Sequence, residues 1–147
     1  MNRITENLRS QLMTQRGQVL RKDKEKAIVE LKKLDIAESS QIYNYFLEFT
    51  LGAFLSTSSY EELVDIAEPS PEIALGTKFV HEVWEIPEEY ICLTSCEGEG
   101  CYLYSKKTEA VYDFSLAERE MFISNPVPSW GSFFEFIEWY LAPADVK

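Results

Sequence analysis

The chain has one histidine, His81, and three cysteines, Cys92, Cys96 and Cys101. A zinc site needs four Cys or His ligands, and these cysteines are separated by three and four residues rather than arranged as CxxC. An odd, closely spaced set of cysteines is no disulfide framework either. His81-Glu82 opens like a zincin helix, but Glu85 stands where further ligand chemistry would be needed, so that motif fails. A hydrolase triad needs a base, and one helical histidine without an evident nucleophile does not supply it. Glycine-rich phosphate loops are missing too. The Gly98-Glu99-Gly100 turn is too short to cradle phosphate, and Glu97 and Glu99 repel it. No apolar run approaches the roughly 18 residues of a membrane span. The first twenty residues hold Arg3, Arg9 and Arg16 and no continuous apolar stretch, unlike a secretory signal. A soluble, cytoplasmic protein with neither metal nor cofactor is expected.

Basic residues are scarce where acids are dense. Of the 14 Lys and Arg, nine fall in residues 1–34 against four acids, a balance of +5. The remaining chain sets five bases against twenty-one acids, a balance of -16, and the total is -11. Such a body repels nucleic acid and anionic membrane and attracts basic partners at long range. Acidity alone also keeps proteins soluble, so charge suggests a type of partner without naming it. Residues 1–34 form a basic helical segment that could touch an anion or simply snorkel its Lys and Arg over apolar neighbours.

The 147 residues, 46% hydrophobic and 14% aromatic, suit one packed domain. Ile4, Leu8 and Leu12, then Ile28, Leu31 and Leu34, recur at helical spacing. A helix within Glu38–Leu51 would bury Ile42, Tyr45, Phe46 and Phe49 and stop at Gly52. Ser59 and Glu62 have capping-box spacing, starting either a short helix or a turn off a brief strand at Ala53–Ser56. Pro71 to Trp84 reads as a helix with Ile73, Phe79, Val80 and Val83 inward, and Pro87 forbids its continuation. Tyr90–Thr94, Cys101–Ser105 and Ala110–Phe114 read as antiparallel strands, with an edge strand at Met121–Ile123. Ser132 and Glu135 cap a last helix so apolar that it must be covered on most sides, and Pro143 ends it. The fold class is α+β: N-terminal helices, a small antiparallel sheet and a closing C-terminal helix.

The order of these patterns resembles the SUKH superfamily, the Smi/Knr-type proteins of bacterial toxin immunity. Leu34–Gly52 is similar to that family's early loop and Tyr/Phe helix. Ile86-Pro87-Glu88-Glu89-Tyr90-Ile91 resembles its Pro-acidic-Tyr entry into a strand. Gly100–Phe114 resembles its hairpin, and Ser132-Phe133-Phe134-Glu135-Phe136-Ile137 its closing helix. The likeness covers about the last 110 of the 147 residues. It departs at Leu34-Asp35, where the family often has Leu-Pro, and at Leu51-Gly52, where it often has Asn-Gly. It implies a binding protein without catalytic residues.

Combined with the acidic body, the resemblance leads to an expected function: an immunity protein that neutralises a cognate toxin, most simply a basic nuclease domain. Glu97, Glu99 and Asp113, with Glu88 and Glu89, would pair with the Lys and Arg of that toxin. Tyr102 or Tyr104 would add apolar anchoring, provided the aromatic row they form with Tyr112 and Phe114 is open. The alternative for that row is core beneath the last helix. Two other functions compete: a regulatory or scaffolding module of the same fold with no toxin partner, and a small-molecule enzyme, which needs a site the sequence does not contain. Neither the oligomeric state nor the identity of the toxin can be read from the residues.

Overall fold

The computed structural model describes residues 4–15, 19–51, 54, 56–68, 71–94 and 98–142, with backbone alone for 71–75. Helix α1 (Glu6–Met13) starts where the Thr5 hydroxyl accepts the Leu8 amide, and it buries Leu8 and Leu12. Helix α2 (Lys24–Lys33) is capped by Asp23 and carries Glu25 in its first turn and Lys32 and Lys33 in its last, the signs its dipole favours. Ala27 and Leu31 face inward from α2, and Ile28 is partly exposed, so the buried stripe lies one position away from the expected Ile28. Helix α3 (Gln41–Glu48), capped by Ser40, buries Ile42, Tyr43, Tyr45 and Phe46. The expected stop at Gly52 lies outside the described residues.

The capping-box pair Ser59 and Glu62 starts a turn, not a helix. The Ser59 hydroxyl accepts the Glu61 amide, and Leu63 then pairs with Thr94 in an isolated antiparallel bridge. Of the brief strand expected at 53–56, Ala53 and Leu55 lie outside the described residues. Helix α4 (Pro71–Glu82) buries Val80, and Trp84 follows it into the core. Val83 is exposed and Phe79 partly so, contrary to expectation, because the inward pair is Val80 and Trp84, one helical turn apart. Glu85 then adopts a left-handed φ of 54° that turns the chain toward the sheet.

Strands β1 (Tyr90–Cys92), β2 (Gly100–Ser105) and β3 (Val111–Ser115) form an antiparallel sheet in sequential order. A 3-10 turn at Leu116–Glu118 leads into α5 (Arg119–Ser124), which replaces the edge strand expected at Met121–Ile123. No strand is needed there: Val111 exchanges backbone hydrogen bonds with Trp130, covering that part of the β3 edge. The closing helix α6 (Phe133–Leu141) starts as its spacing predicts, with the Ser132 hydroxyl accepting the Glu135 amide and the Glu135 carboxylate accepting the Gly131 amide.

Both faces of the sheet are covered. On one, Ile91, Tyr102, Tyr104 and Val111 join a core with α1, α2, α3 and α6. On the other, Tyr90, Cys92, Cys101, Leu103, Tyr112 and Phe114 pack with Val80 and Trp84, and Phe122 of α5 seals the edge of that cluster. The architecture is α+β. No helix among the described residues is long and apolar enough to cross a membrane.

Candidate functional site

The register of β2 and β3 decides which sequence-predicted residues reach the surface. Tyr102 stands opposite Asp113, Leu103 opposite Tyr112 and Tyr104 opposite Val111. Opposed residues share a face, so Tyr102 and Tyr104 lie on one side of the sheet and Tyr112 and Phe114 on the other. The single aromatic row expected from the sequence is therefore split. Cys101 and Leu103 share the face of Tyr112 and Phe114, and Val111 shares that of Tyr102 and Tyr104. The loop length contains this register: a connection at 106–109 sets Ser105 against Ala110, and counting back yields every pair.

Tyr102 and Tyr104 are core residues rather than partner anchors. Tyr102 is 5% exposed and sits edge-on to Trp130 and Phe136, and its hydroxyl is 2.5 Å from that of Ser59. Tyr104 is 1% exposed and meets Phe133 edge-on. Burial, the larger cause, raises both phenols above the ordinary tyrosine range, and neither ring is open to a partner. The reason is the nearly all-apolar α6, which needs this face of the sheet as its cover.

The carboxylates fall at two ends of the sheet. Glu88 is exposed and Glu89 half-buried at the turn into β1, where Glu89 accepts the Ser105 hydroxyl at 2.8 Å and sits 3.8 Å from Lys107. Glu89 thus ties β1 to the hairpin and is partly spent on the fold. Glu99 is exposed at the opposite end, just before β2, where its carbonyl accepts the Leu116 amide. Gly100 and Ser105, the ends of β2, are about 16 Å apart at the usual strand rise. Glu97 lies outside the described residues.

Asp113 is exposed on β3 and lines a cleft of about 160 Å³ with Glu118, Met121, Phe122, Asn125 and Val127. Burial against the cleft wall, and then the nearby Glu118 carboxylate, hold the Asp113 carboxyl above the usual aspartate range. Neither carboxylate has a cationic partner among the described residues. By contrast Glu120 is paired with Arg119, which also reaches Glu85 and the Trp84 carbonyl.

Glu118, Met121, Val127 and Tyr60 are not among the site residues expected from the sequence. Tyr60 stands fully exposed between Ser59, which is fastened to Tyr102, and the exposed Glu61 and Glu62. Tyr102 feels the charge of both Asp113 and Glu61, so these two acids flank the same buried ring. No residue-type signal marks a tyrosine as exposed, since the sequence holds eight and most of the described ones are core.

The His81 ring is held 2.7 Å from the Tyr90 carbonyl, and Cys92 and Cys101 are buried. Among the described residues no group of three or more His, Cys, Asp or Glu could hold a metal ion; Cys96 lies outside them. The geometry offers exposed acids beside β3, without a cationic partner among the described residues, next to exposed apolar side chains. Compared with known protein families, with curated proteins and with solved structures, the chain has no match in any of the three.

Proposed function

We propose that this chain is a non-enzymatic immunity protein of the SUKH (Smi/Knr) type, working in the cytoplasm by binding a cognate toxin whose active domain is basic, most simply a nuclease. The observation that carries the reading is the charge: -16 from Asp35 onward, including exposed carboxylates beside β3 that have no cationic partner among the described residues. Such a surface accelerates encounter with a cationic protein and competes for the Lys and Arg that would otherwise hold phosphates. The resemblance in element order supplies the family.

In this mechanism no bond is made or broken. Asp113 and Glu99, with Glu88 at the far end of the sheet, provide charge, and the aromatic anchor passes from Tyr102 and Tyr104 to the exposed Tyr60. Co-expression with the product of the adjacent upstream gene tests the reading. That product should be toxic alone, harmless with this chain, and retained with it in a pull-down. A product neither toxic nor retained ends the proposal.

A further inference from the structure

The β3–α5 cleft combines three properties. It has two carboxylates of like charge, Asp113 and Glu118, close enough for one to perturb the other and unpaired among the described residues. Its lining also holds apolar side chains: Phe122 is half-buried, and Met121 and Val127 are each 70% exposed. Its volume, about 160 Å³, is below the roughly 300 Å³ where small-molecule pockets begin. That space suits one long side chain rather than a cofactor.

A side chain matching all three has an apolar stem and a cationic head. We propose that the cleft between β3 and α5 is a docking surface for an arginine or lysine side chain of a basic protein partner, its methylenes against Met121 and Val127 and its charge between Asp113 and Glu118. The inference rests on the function proposed above and adds the surface and the chemistry recognised there. A seated cation relieves the repulsion between the two carboxylates, which water alone only screens, and covers apolar surface that is otherwise exposed. Arginine fits better than lysine, because its planar fork can donate to both carboxylates at once.

The test uses the whole chain and a defined probe, the end-blocked tripeptide Leu-Arg-Leu, titrated while backbone amide resonances are followed. Citrulline in place of arginine keeps the shape and removes the charge. Saturable shifts should centre on Asp113, Glu118, Met121 and Val127, and should weaken about tenfold with the citrulline peptide or in the Asp113→Asn, Glu118→Gln double variant. The Glu62→Gln, Glu82→Gln double variant, which removes the same two charges at exposed positions elsewhere, should leave the affinity unchanged. Shifts spread over other acids, a cleft indifferent to citrulline, or no saturable shift overturns the assignment. The double variant should also lose capture of the upstream gene product. If both proteins capture it equally, the surface is wrong and the immunity reading stands. If even the unaltered chain fails to capture it, the immunity reading falls, and the peptide arm still decides the cleft.

Discussion

Arg21 and Asp65 meet at 2.8 Å although 44 residues separate them, and the Arg21 side chain is only 2% exposed. Arg21 also donates to the Phe46 carbonyl in the last turn of α3, to the Phe49 carbonyl just after it, and to Glu68 at 2.8 Å. Asp65 in turn accepts the Leu51 and Ala67 amides. One guanidinium therefore satisfies the carbonyls at the end of α3 and fixes the 63–68 turn against it.

Truncation of Arg21 should accordingly be severe. Arg21→Ala leaves Asp65 without its cation and two carbonyls without a donor, a loss of about 3–5 kcal/mol. Chemical denaturation would measure it. Adding Asp65→Asn should recover part of the loss, since the uncompensated charge is then gone. A variant within about 0.5 kcal/mol of the parent, the range of an ordinary surface change, would show that the pair does not hold this end of α3.

Tyr102 separates structural from binding roles. Tyr102→Phe keeps the ring against Trp130 and Phe136 and removes only the hydroxyl facing Ser59. It should cost about 0.5–1.5 kcal/mol, the worth of one hydrogen bond. Tyr102→Ala empties the core and should cost about 3–5 kcal/mol. Thermal unfolding distinguishes the two, and equal losses would contradict the burial of the ring.

Tyr60 should behave in the opposite way. Its ring touches solvent on every side, so Tyr60→Ala should change unfolding by no more than about 0.5 kcal/mol. As an interface anchor it should weaken capture of the cognate toxin by about 2 kcal/mol or more, measured by calorimetry on the complex. A variant that binds as well as the parent removes Tyr60 from the interface.

These residues show what the sequence could and could not supply. The start of α6 was readable because a capping box is local: Ser132 and Glu135 carry it within one turn. The three strands were readable from their aromatic and β-branched residues. Which face of the sheet lay inside was not, because both faces are buried and alternation then carries no sign. Met121–Ile123 failed as a strand because a short apolar run fits helix and strand equally, and only the pairing of Trp130 with Val111 removes the need for a strand there. The candidate surface was half legible. Asp113 is an acid in an acidic chain, but Glu118 reaches it only through the 3-10 turn after β3, and Met121 and Val127 gain meaning only from their exposure. Arg21 looked like one more base in a charged run; its burial depends on acids more than forty residues away.

Asp113 offers a last test, because its burial in the cleft works against the fold. A carboxyl held above its usual range, by burial first and Glu118 second, binds protons more tightly folded than unfolded. The penalty is fully present at neutral pH, where the folded carboxylate is charged and only partly solvated. It fades as pH falls through that raised range and vanishes below the ordinary aspartate value of about 3.9, where both states are protonated. Asp113→Asn should therefore unfold at a slightly higher temperature than the parent at pH 7, with the two melting curves converging near pH 3. Glu118→Gln should shift the Asp113 titration, followed by carboxyl resonances, back toward the ordinary value. A seated arginine should do the same for the opposite reason, by favouring the charged form. If Asp113→Asn is instead less stable at pH 7, the carboxylate is satisfied where it stands and the cleft has no need of a cation. Stability gained together with partner affinity lost is the pattern of a residue kept for binding at the expense of the fold.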